Sequence, residues 1–222
     1  MTLKNRIFKD KPLVPNKKIQ GFFSNTDSLA LYFTVLNHNP KSILEIGHFL
    51  GKSTAAICSA IKQMNQSVDF DSYDLPFKSE SEFVHFYTKV HQKPVLPSKK
   101  FKDLYKKNIV STDLAKKNLE TLELLNFVNL KSCDYIQEPV RKYEFIFSDA
   151  VHDVPEIDLH LPQIITRSSE ECTWVFHDQN DVNIKFVLEN SKTQLIFRIG
   201  SLAVYKFDSV PRLHLEPSNA PQ

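Results

Sequence analysis

Apolar side chains recur along the chain with two different spacings, which predict strands and helices in alternation. Short apolar runs predict strands at 42–46, 68–73, 128–132, 143–148 and 173–176. Apolar residues three and four positions apart predict helices at 26–38, 54–64, 111–125, 157–167 and 182–189. The segments 194–198 and 202–207 flank a glycine turn and predict a hairpin.

Strands that alternate with helices predict an α/β fold whose parallel sheet is wound on both faces. We expect one domain over residues 26–210, an N-terminal extension at 1–25 and a disordered tail at 211–222. Ligands of such sheets lie beyond the carboxyl ends of the strands. Polar residues at those ends are therefore the candidates for function.

The apolar pattern loosens over residues 77–108, between the second strand and the next helix. A compact domain rarely needs so long a connection, so this segment is either a lid over the site or an insert that binds a partner. We expect the lid. Its short apolar face consists of Phe83, Phe86, Tyr87 and Val90.

Composition limits the classes of partner. The 222 residues carry a formal net charge of +2, and no basic stretch has the pattern of a nucleic-acid site. We recognise no signal peptide and no apolar run long enough to span a bilayer. Cys58, Cys133 and Cys172 neither pair by count nor cluster, so we expect buried, reduced thiols. These features predict a cytoplasmic protein.

The most informative motif is the loop between the first strand and its helix, which contains Gly47 and Gly51. A strand, a glycine turn and a helix N-terminus form a unit suited to a small ligand. The loop is one residue too short for a phosphate-binding P-loop, in spite of Gly-Lys-Ser at 51–53. The nearby carboxylate of Glu45 would also repel a triphosphate, and it suits an ammonium or sulfonium ligand better.

The run Leu-Glu-Ile-Gly-x-x-x-Gly-x-Ser at 44–53 resembles the first motif of class I S-adenosylmethionine-dependent methyltransferases, especially the catechol and caffeoyl-CoA O-methyltransferases and their bacterial relatives. The resemblance implies a Rossmann-like, doubly wound, mostly parallel seven-stranded sheet with a C-terminal antiparallel hairpin. It implies S-adenosylmethionine as cofactor, with Glu45 near its amino group, Asp74 at the ribose and Asp134 at the adenine. The full set implied to bind or line the cofactor is Glu45, Gly47, His48, Gly51, Ser53, Asp74 and Asp134.

A second group of polar residues follows the fourth and fifth strands. In the related enzymes an aspartate after the fourth strand binds a divalent metal ion, and a lysine three residues later is the base. These positions hold Asp149 and His152 here, so the resemblance implies Asp149 as a metal ligand and His152 as the catalytic base. The related enzymes complete the metal site with an Asp-Asn pair. This chain has Asp178, Gln179 and Asn180, whose oxygens suit a hard cation such as Mg²⁺.

The resemblance implies methyl transfer to the hydroxyl of a small-molecule acceptor. We expect no nucleic-acid or membrane partner, and a homodimer is the candidate assembly. Two alternatives stay open. His152 and His177, with Asp149 or Asp178, could form the two-histidine, one-carboxylate iron site of an oxygenase. The chain could also be an inactive, methyltransferase-like binding module, since Gln179 departs from the metal-binding pattern.

Overall fold

The computed structural model describes residue 19, residues 23–107 and residues 109–208. The predicted tail at 211–222 and nearly all of the predicted extension at 1–25 lie outside these residues. The described helices are α1 (Asn25–His38), α2 (Lys52–Met64), α3 (Glu80–His91), α4 (Lys99–Lys106), α5 (Ser111–Thr121), α6 (Val154–Arg167) and α7 (Asp181–Asn190). The described strands are β1 (Ser42–Ile46), β2 (Asp69–Asp74), β3 (Asn129–Ser132), β4 (Tyr143–Ser148), β5 (Ser168–Phe176), β6 (Thr193–Ile199) and β7 (Leu202–Asp208). In this part of the chain, no helix has the length and apolar character needed to cross a membrane.

All seven strands join one sheet in the order β3-β2-β1-β4-β5-β7-β6. Strands β1 to β5 run parallel to one another, whereas β7 pairs antiparallel with both β5 and β6. The predicted doubly wound sheet with a terminal antiparallel hairpin is thus confirmed. The strand order reverses between β1 and β4, and in such sheets a ligand crevice forms at the reversal.

Side chains of the central strands alternate between two apolar cores, one on each face of the sheet. In β4, Phe145 and Phe147 pack into the core that includes residues of α1 and α2. Ile146, between them, packs into the core that includes residues of α6 and α7. Because helices cover both faces, the sequence of β4 is a nearly continuous apolar run.

Asp69 and Asp71, two of the three acidic residues of β2, have a structural explanation. Asp71 is buried and accepts hydrogen bonds from Tyr143 Oη at 2.9 Å and from Asn129 Nδ2 at 2.8 Å. Arg141 forms ion pairs with both Asp69 and Asp71. Since buried carboxylates are tolerated when they are paired and hydrogen-bonded, the strand forms in spite of its charges.

Three segments differ most from the elements predicted for them. Strand β5 begins at Ser168, five residues before the strand predicted at 173–176. The helix expected over 111–125 ends at Thr121, and Glu123 then takes a left-handed conformation with φ +56°. A short 3-10 helix follows at Leu125–Phe127. The segment 77–108 contains regular structure, since it includes α3 and α4. The hydroxyl of Ser79 caps α3 by accepting a hydrogen bond from the backbone N–H of Glu82 at 3.2 Å.

Candidate functional site

A cavity of about 490 Å³ lies beyond the carboxyl ends of β1, β2 and β4, a size typical of ligand sites. The loop after β1, the ends of the strands and the helices α3 and α4 all contribute to its wall. Eight of the predicted site residues line it, namely Gly47, His48, Ser53, Asp74, Asp134, Asp149, His152 and Asp178. The other four, Glu45, Gly51, Gln179 and Asn180, do not.

The two glycines of the loop allow it to pack closely against other parts of the protein. Gly47 and Gly51 have left-handed backbone conformations, with φ +89° and +84°. A Cβ atom at Gly47 would lie 3.1 Å from the carbonyl oxygen of Asp149, and one at Gly51 would lie 3.2 Å from Cβ of Ala115. Gly47 thus clears space for the residue that follows β4, and Gly51 clears space for α5 and faces that helix instead of the cavity.

Glu45 is fully buried in β1 and does not reach the cavity. Its carboxylate accepts hydrogen bonds from the hydroxyls of Ser53 at 2.6 Å, Thr54 at 2.7 Å and Ser72 at 2.6 Å. Burial raises the pKa of Glu45 to about 7 in spite of these bonds. The predicted contact between Glu45 and the cofactor is therefore corrected: this carboxylate ties β1 to β2 and α2.

His48 links the loop to two neighbouring elements. Its ring is buried, with Nδ1 3.0 Å from Ser72 Oγ and Nε2 3.0 Å from Thr112 Oγ1. Burial lowers the pKa of His48 to about 3, so the ring is neutral at physiological pH. A neutral ring with both nitrogens bonded supports the cavity wall and is not poised to transfer protons.

Asp74 and Asp134 follow β2 and β3 and line the same cavity. Oδ2 of Asp74 accepts a hydrogen bond from the hydroxyl of Ser111, the first residue of α5. Burial raises the pKa of Asp74 to about 7. The side chain of Asp134 accepts a hydrogen bond from the backbone N–H of Ile136 at 3.0 Å and so caps the turn after β3. Each carboxylate keeps acceptor capacity for a ligand.

The three cysteines are free thiols. Cys58 and Cys172 are buried, as predicted. Cys133 is only partly buried and lines the cavity next to Asp134. The expectation that all three are core thiols is therefore wrong for Cys133.

Asp149, His152 and Asp178 form a cluster at the ends of β4 and β5. One potential ligand atom from each lies within 4.8 Å of the other two. His152 Nε2 is 3.8 Å from Asp149 Oδ1. The structure thus brings together the two carboxylates that the sequence paired, and it adds the imidazole of His152 as a third potential ligand of a divalent ion.

Glu156 holds the other side of the His152 ring. Its Oε2 lies 2.9 Å from His152 Nδ1 and accepts a hydrogen bond from the backbone N–H of His152 at 2.8 Å. Burial alone would lower the pKa of His152, but the carboxylates of Asp149 and Glu156 raise it to about 10. This environment therefore favours the imidazolium form of His152 at neutral pH.

His177 is buried between Asp149 and the terminal hairpin. Its Nδ1 lies 2.7 Å from Asp149 Oδ1 and 3.4 Å from Asp178 Oδ2. Its Nε2 lies 3.1 Å from Ser201 Oγ and 3.7 Å from Asp27 Oδ2. Because both ring nitrogens are engaged and the ring does not line the cavity, this geometry contradicts the alternative of a two-histidine iron site.

Gln179 and Asn180 make hydrogen bonds outside the cluster. Gln179 Nε2 donates to the carbonyl of Val151 at 2.9 Å, whereas its Oε1 is buried with no hydrogen-bond partner among the described residues. Asn180 Oδ1 accepts from the backbone N–H of Asn183 at 3.0 Å. Asn180 is the N-cap of α7. The oxygen of Asn180 is therefore occupied by the start of α7. Gln179 does not line the cavity, and its role as a metal ligand stays a prediction.

One part of the cavity wall, here called the aromatic wall, comes from the 77–108 segment. It consists of Phe77, Phe83, Phe86, Tyr87, Phe101 and Tyr105. Its rings are in contact, with centroids 4.4 Å apart for Phe83 and Tyr87 and 5.3 Å apart for Phe83 and Phe101. The Tyr105 hydroxyl is buried and has no hydrogen-bond partner among the described residues. This arrangement favours the lid interpretation, since the segment covers the cavity with its own side chains.

Four residues that shape the site were not predicted, namely Ser72, Ser111, Thr112 and Glu156. The hydroxyl residues carry no usable sequence signal, because their partners are distant in the chain. Glu156 does have a sequence signal. It stands four residues after His152 at the start of a predicted helix, a spacing that allows side-chain contact.

The fold and the site together define a class of protein. The strand order, the glycine loop after β1 and the acidic residues beyond β2 and β4 are those of a Rossmann-like methyltransferase. The methyltransferase domain family matches residues 44–179, which is more than half of the 222 residues. The chain belongs to this family.

Solved structures share the fold at low sequence identity. An O-methyltransferase from Bacillus cereus, in complex with S-adenosylhomocysteine, is 13% identical with a TM-score of 0.57, over 92% of this chain and 93% of that one. The O-methyltransferase TomG from Streptomyces achromogenes, involved in tomaymycin synthesis and solved with S-adenosylmethionine, is 12% identical with a TM-score of 0.54, over 93% and 97%. An O-methyltransferase from Thermotoga maritima is 12% identical with a TM-score of 0.57, over 91% and 73%. A comparison with curated protein sequences gave no match.

Proposed function

We propose that the protein is an S-adenosylmethionine-dependent O-methyltransferase that acts on a small, hydroxylated acceptor. The observation that carries this proposal is that one cavity joins Asp74, at the end of β2, to Asp149 and His152 after β4. A carboxylate suited to ribose hydroxyls thus shares a cavity with groups that can hold a cation and accept a proton. Membership of the methyltransferase family and the fold shared with complexes of S-adenosylmethionine and S-adenosylhomocysteine support the proposal.

The charges of the cavity fit a cationic cofactor. Among the described residues, its wall includes one lysine, Lys52, and six carboxylates, those of Asp74, Asp134, Asp149, Asp153, Glu156 and Asp178. An acidic cavity favours a sulfonium and disfavours a nucleoside triphosphate. When bound, S-adenosylmethionine supplies the methyl group for transfer to oxygen. Asp74 would accept hydrogen bonds from the ribose hydroxyls, and Asp134 would lie at the adenine.

His152 is the proposed base, and its Nε2 is the atom that takes the acceptor proton. Nδ1 is not available for this role, because it is held by Glu156. Since the carboxylates of Asp149 and Glu156 raise the pKa of His152, positive charge that enters the cavity with the cofactor would favour the neutral ring that a base requires. A positioned base contributes about 10²–10⁴-fold to the rate.

The same cluster is a candidate metal site, with Asp149, His152 and Asp178 as ligands. A donor set with one imidazole suits Mn²⁺ better than Mg²⁺, which prefers oxygen ligands. If His152 binds the ion through Nε2, it cannot be the base, so the two roles exclude each other. Mn²⁺ should raise the melting temperature of the wild type but not of Asp149→Asn. Methyl transfer that is insensitive to a chelator would favour the histidine base.

The proposal is tested by calorimetry with S-adenosylhomocysteine and by transfer of labelled methyl groups to a panel of hydroxylated acceptors. The wild type should bind and turn over, and His152→Gln should lose about 10²–10⁴-fold in kcat with little change in cofactor affinity. His85→Gln, a change at an exposed histidine of α3, is the control. No heat from a folded sample would overturn the proposal. Binding without turnover of any acceptor would favour the binding module.

A further inference from the structure

Glu156 connects the loop after β4 to the segment that covers the cavity. It lies in the first turn of α6 and is buried. One oxygen, Oε2, contacts both Nδ1 and the backbone N–H of His152. The other oxygen, Oε1, lies 3.4 Å from Nε2 of His91. A single carboxylate therefore contacts two histidines, one on each side of the cavity wall.

His91 lies in the last turn of α3, the helix that carries part of the aromatic wall. Its Nδ1 is 3.1 Å from Oδ2 of Asp153, and its side chain is only 7% exposed. Asp153 also caps α6, since its side chain accepts a hydrogen bond from the backbone N–H of Glu156 at 3.3 Å. The end of α3 is thus fastened to the start of α6 by His91.

The contacts of His152 leave one ring nitrogen for chemistry. Nδ1 is held by Glu156, and the backbone carbonyl of His152 accepts a hydrogen bond from Asn183 Nδ2 at 2.6 Å. With both the ring and its backbone fixed, Nε2 is the nitrogen on the side of Asp149, 3.8 Å from its Oδ1. The orientation of the ring depends on Glu156, because Asn183 holds only the backbone.

We propose that Glu156 is a positioning residue that orients the His152 ring, and that His91 joins this arrangement to helix α3 of the lid. Nε2 of His152 can then act as base or as metal ligand. Through His91, the lid is fastened to Glu156, the residue that fixes the direction of the His152 ring. The catalytic part of this inference rests on the proposed function, whereas the orientation of the ring does not. Removing a carboxylate that orients a functional histidine costs about 10–100-fold in comparable sites.

Nitrogen-15 NMR of histidine-labelled protein tests the orientation directly. The His152 signals are assigned by their loss in His152→Gln. Wild type and Glu156→Gln, whose amide oxygen still accepts a hydrogen bond, should show a slowly exchanging proton on His152 Nδ1. Glu156→Ala should lose it. Asp158→Asn, a change at an exposed residue of the same helix, is the matched control and should keep it. A protected Nδ1 proton in Glu156→Ala would overturn the proposal even if no acceptor had been found.

Kinetics test the consequence. Glu156→Ala should lower kcat about 10–100-fold, while acceptor KM and the affinity for S-adenosylhomocysteine change by no more than about twofold. Glu156→Gln should recover most of the loss. His91→Ala should keep the Nδ1 proton but raise acceptor KM, because α3 is no longer fastened. An unchanged KM would overturn the role of His91, and an unchanged kcat in Glu156→Ala would overturn that of Glu156. Failure of the proposed function would instead show as absent turnover in the wild type, with the NMR result intact.

Discussion

Nδ1 of His177 lies 2.7 Å from Oδ1 of Asp149, and this contact joins the end of β4 to the first residue after β5. On its other side the same ring faces Asp27 of α1 and Ser201 of the hairpin. Burial alone would lower the pKa of His177, but its hydrogen bond with Asp149 and the neighbouring carboxylates raise it. The carboxylates of Asp149, Asp178 and Asp27 therefore favour the protonated form of the buried ring, which holds Asp149 in place from the side away from the cavity.

Replacing His177 by alanine should destabilise the protein by about 3–5 kcal/mol, because it leaves two carboxylates without their shared partner. Urea unfolding measures this as a lower midpoint at unchanged slope. His85→Ala, at an exposed position, should stay within about 0.5 kcal/mol of the wild type. The double variant Asp149→Asn/His177→Ala should recover part of the stability that His177→Ala loses. A cost below about 1 kcal/mol for His177→Ala would show that solvent replaces the contact.

The sequence predicted the succession of strands and helices along the chain. It did so because the buried parallel strands are apolar on both faces, as in β4, and because glycine marks the loop after β1. It also placed Asp149 and Asp178 together, since carboxyl ends of parallel strands meet at one edge. It could not separate Glu45, which faces Ser53 and Ser72, from the acids that face the cavity. That distinction depends on which hydroxyls of distant segments surround a carboxylate, and local pattern does not contain this information.

The buried Glu45 predicts a specific dependence of stability on pH. Its pKa is about 7 in the folded protein and about 4.3 in an unfolded chain. Since the folded value is raised, the contribution of this group to stability is fully present below about pH 4.3 and is lost as the pH rises to about 7. Across that window the wild type should lose on the order of 3 kcal/mol relative to Glu45→Gln.

Urea unfolding of both proteins at several pH values measures this difference. Glu120→Gln, at an exposed glutamate of α5, is the control, and its stability should run parallel to that of the wild type. A constant gap between wild type and Glu45→Gln from pH 4 to pH 8 would contradict the raised pKa. A gap that moves in the opposite direction would mean that the three hydroxyls stabilise the carboxylate more than burial destabilises it.

Asp74 predicts a pH dependence of cofactor binding. Its ionised carboxylate accepts hydrogen bonds from ribose hydroxyls better than the protonated form, and burial raises its pKa to about 7. Affinity for S-adenosylhomocysteine should therefore increase as the pH rises through about 7. Asp74→Asn should bind about 10–100-fold more weakly, with no such dependence. Calorimetry between pH 6 and pH 8 measures both effects, and Asp113→Asn, at an exposed residue of α5, should behave like the wild type.

Tyr105 and Tyr205 form a natural pair for the last prediction. Among the described residues, each hydroxyl is buried without a hydrogen-bond partner, but only Tyr105 lines the cavity. An unsatisfied buried hydroxyl costs about 1–3 kcal/mol, so phenylalanine at either position should stabilise the ligand-free protein. We expect the Tyr105 hydroxyl to form a hydrogen bond with a polar atom of the acceptor or cofactor, because it has no protein partner among the described residues and Tyr105 lines the cavity.

Melting temperatures should therefore rise in both Tyr105→Phe and Tyr205→Phe. Only Tyr105→Phe should weaken ligand binding, by about 5–10-fold for one neutral hydrogen bond, whereas Tyr205→Phe should leave binding unchanged. Saturation binding of S-adenosylhomocysteine and acceptor KM, measured separately, show which of the two the hydroxyl contacts. Equal binding in both variants and the wild type would show that the Tyr105 hydroxyl contacts neither ligand, and that the aromatic wall acts through its apolar surface alone.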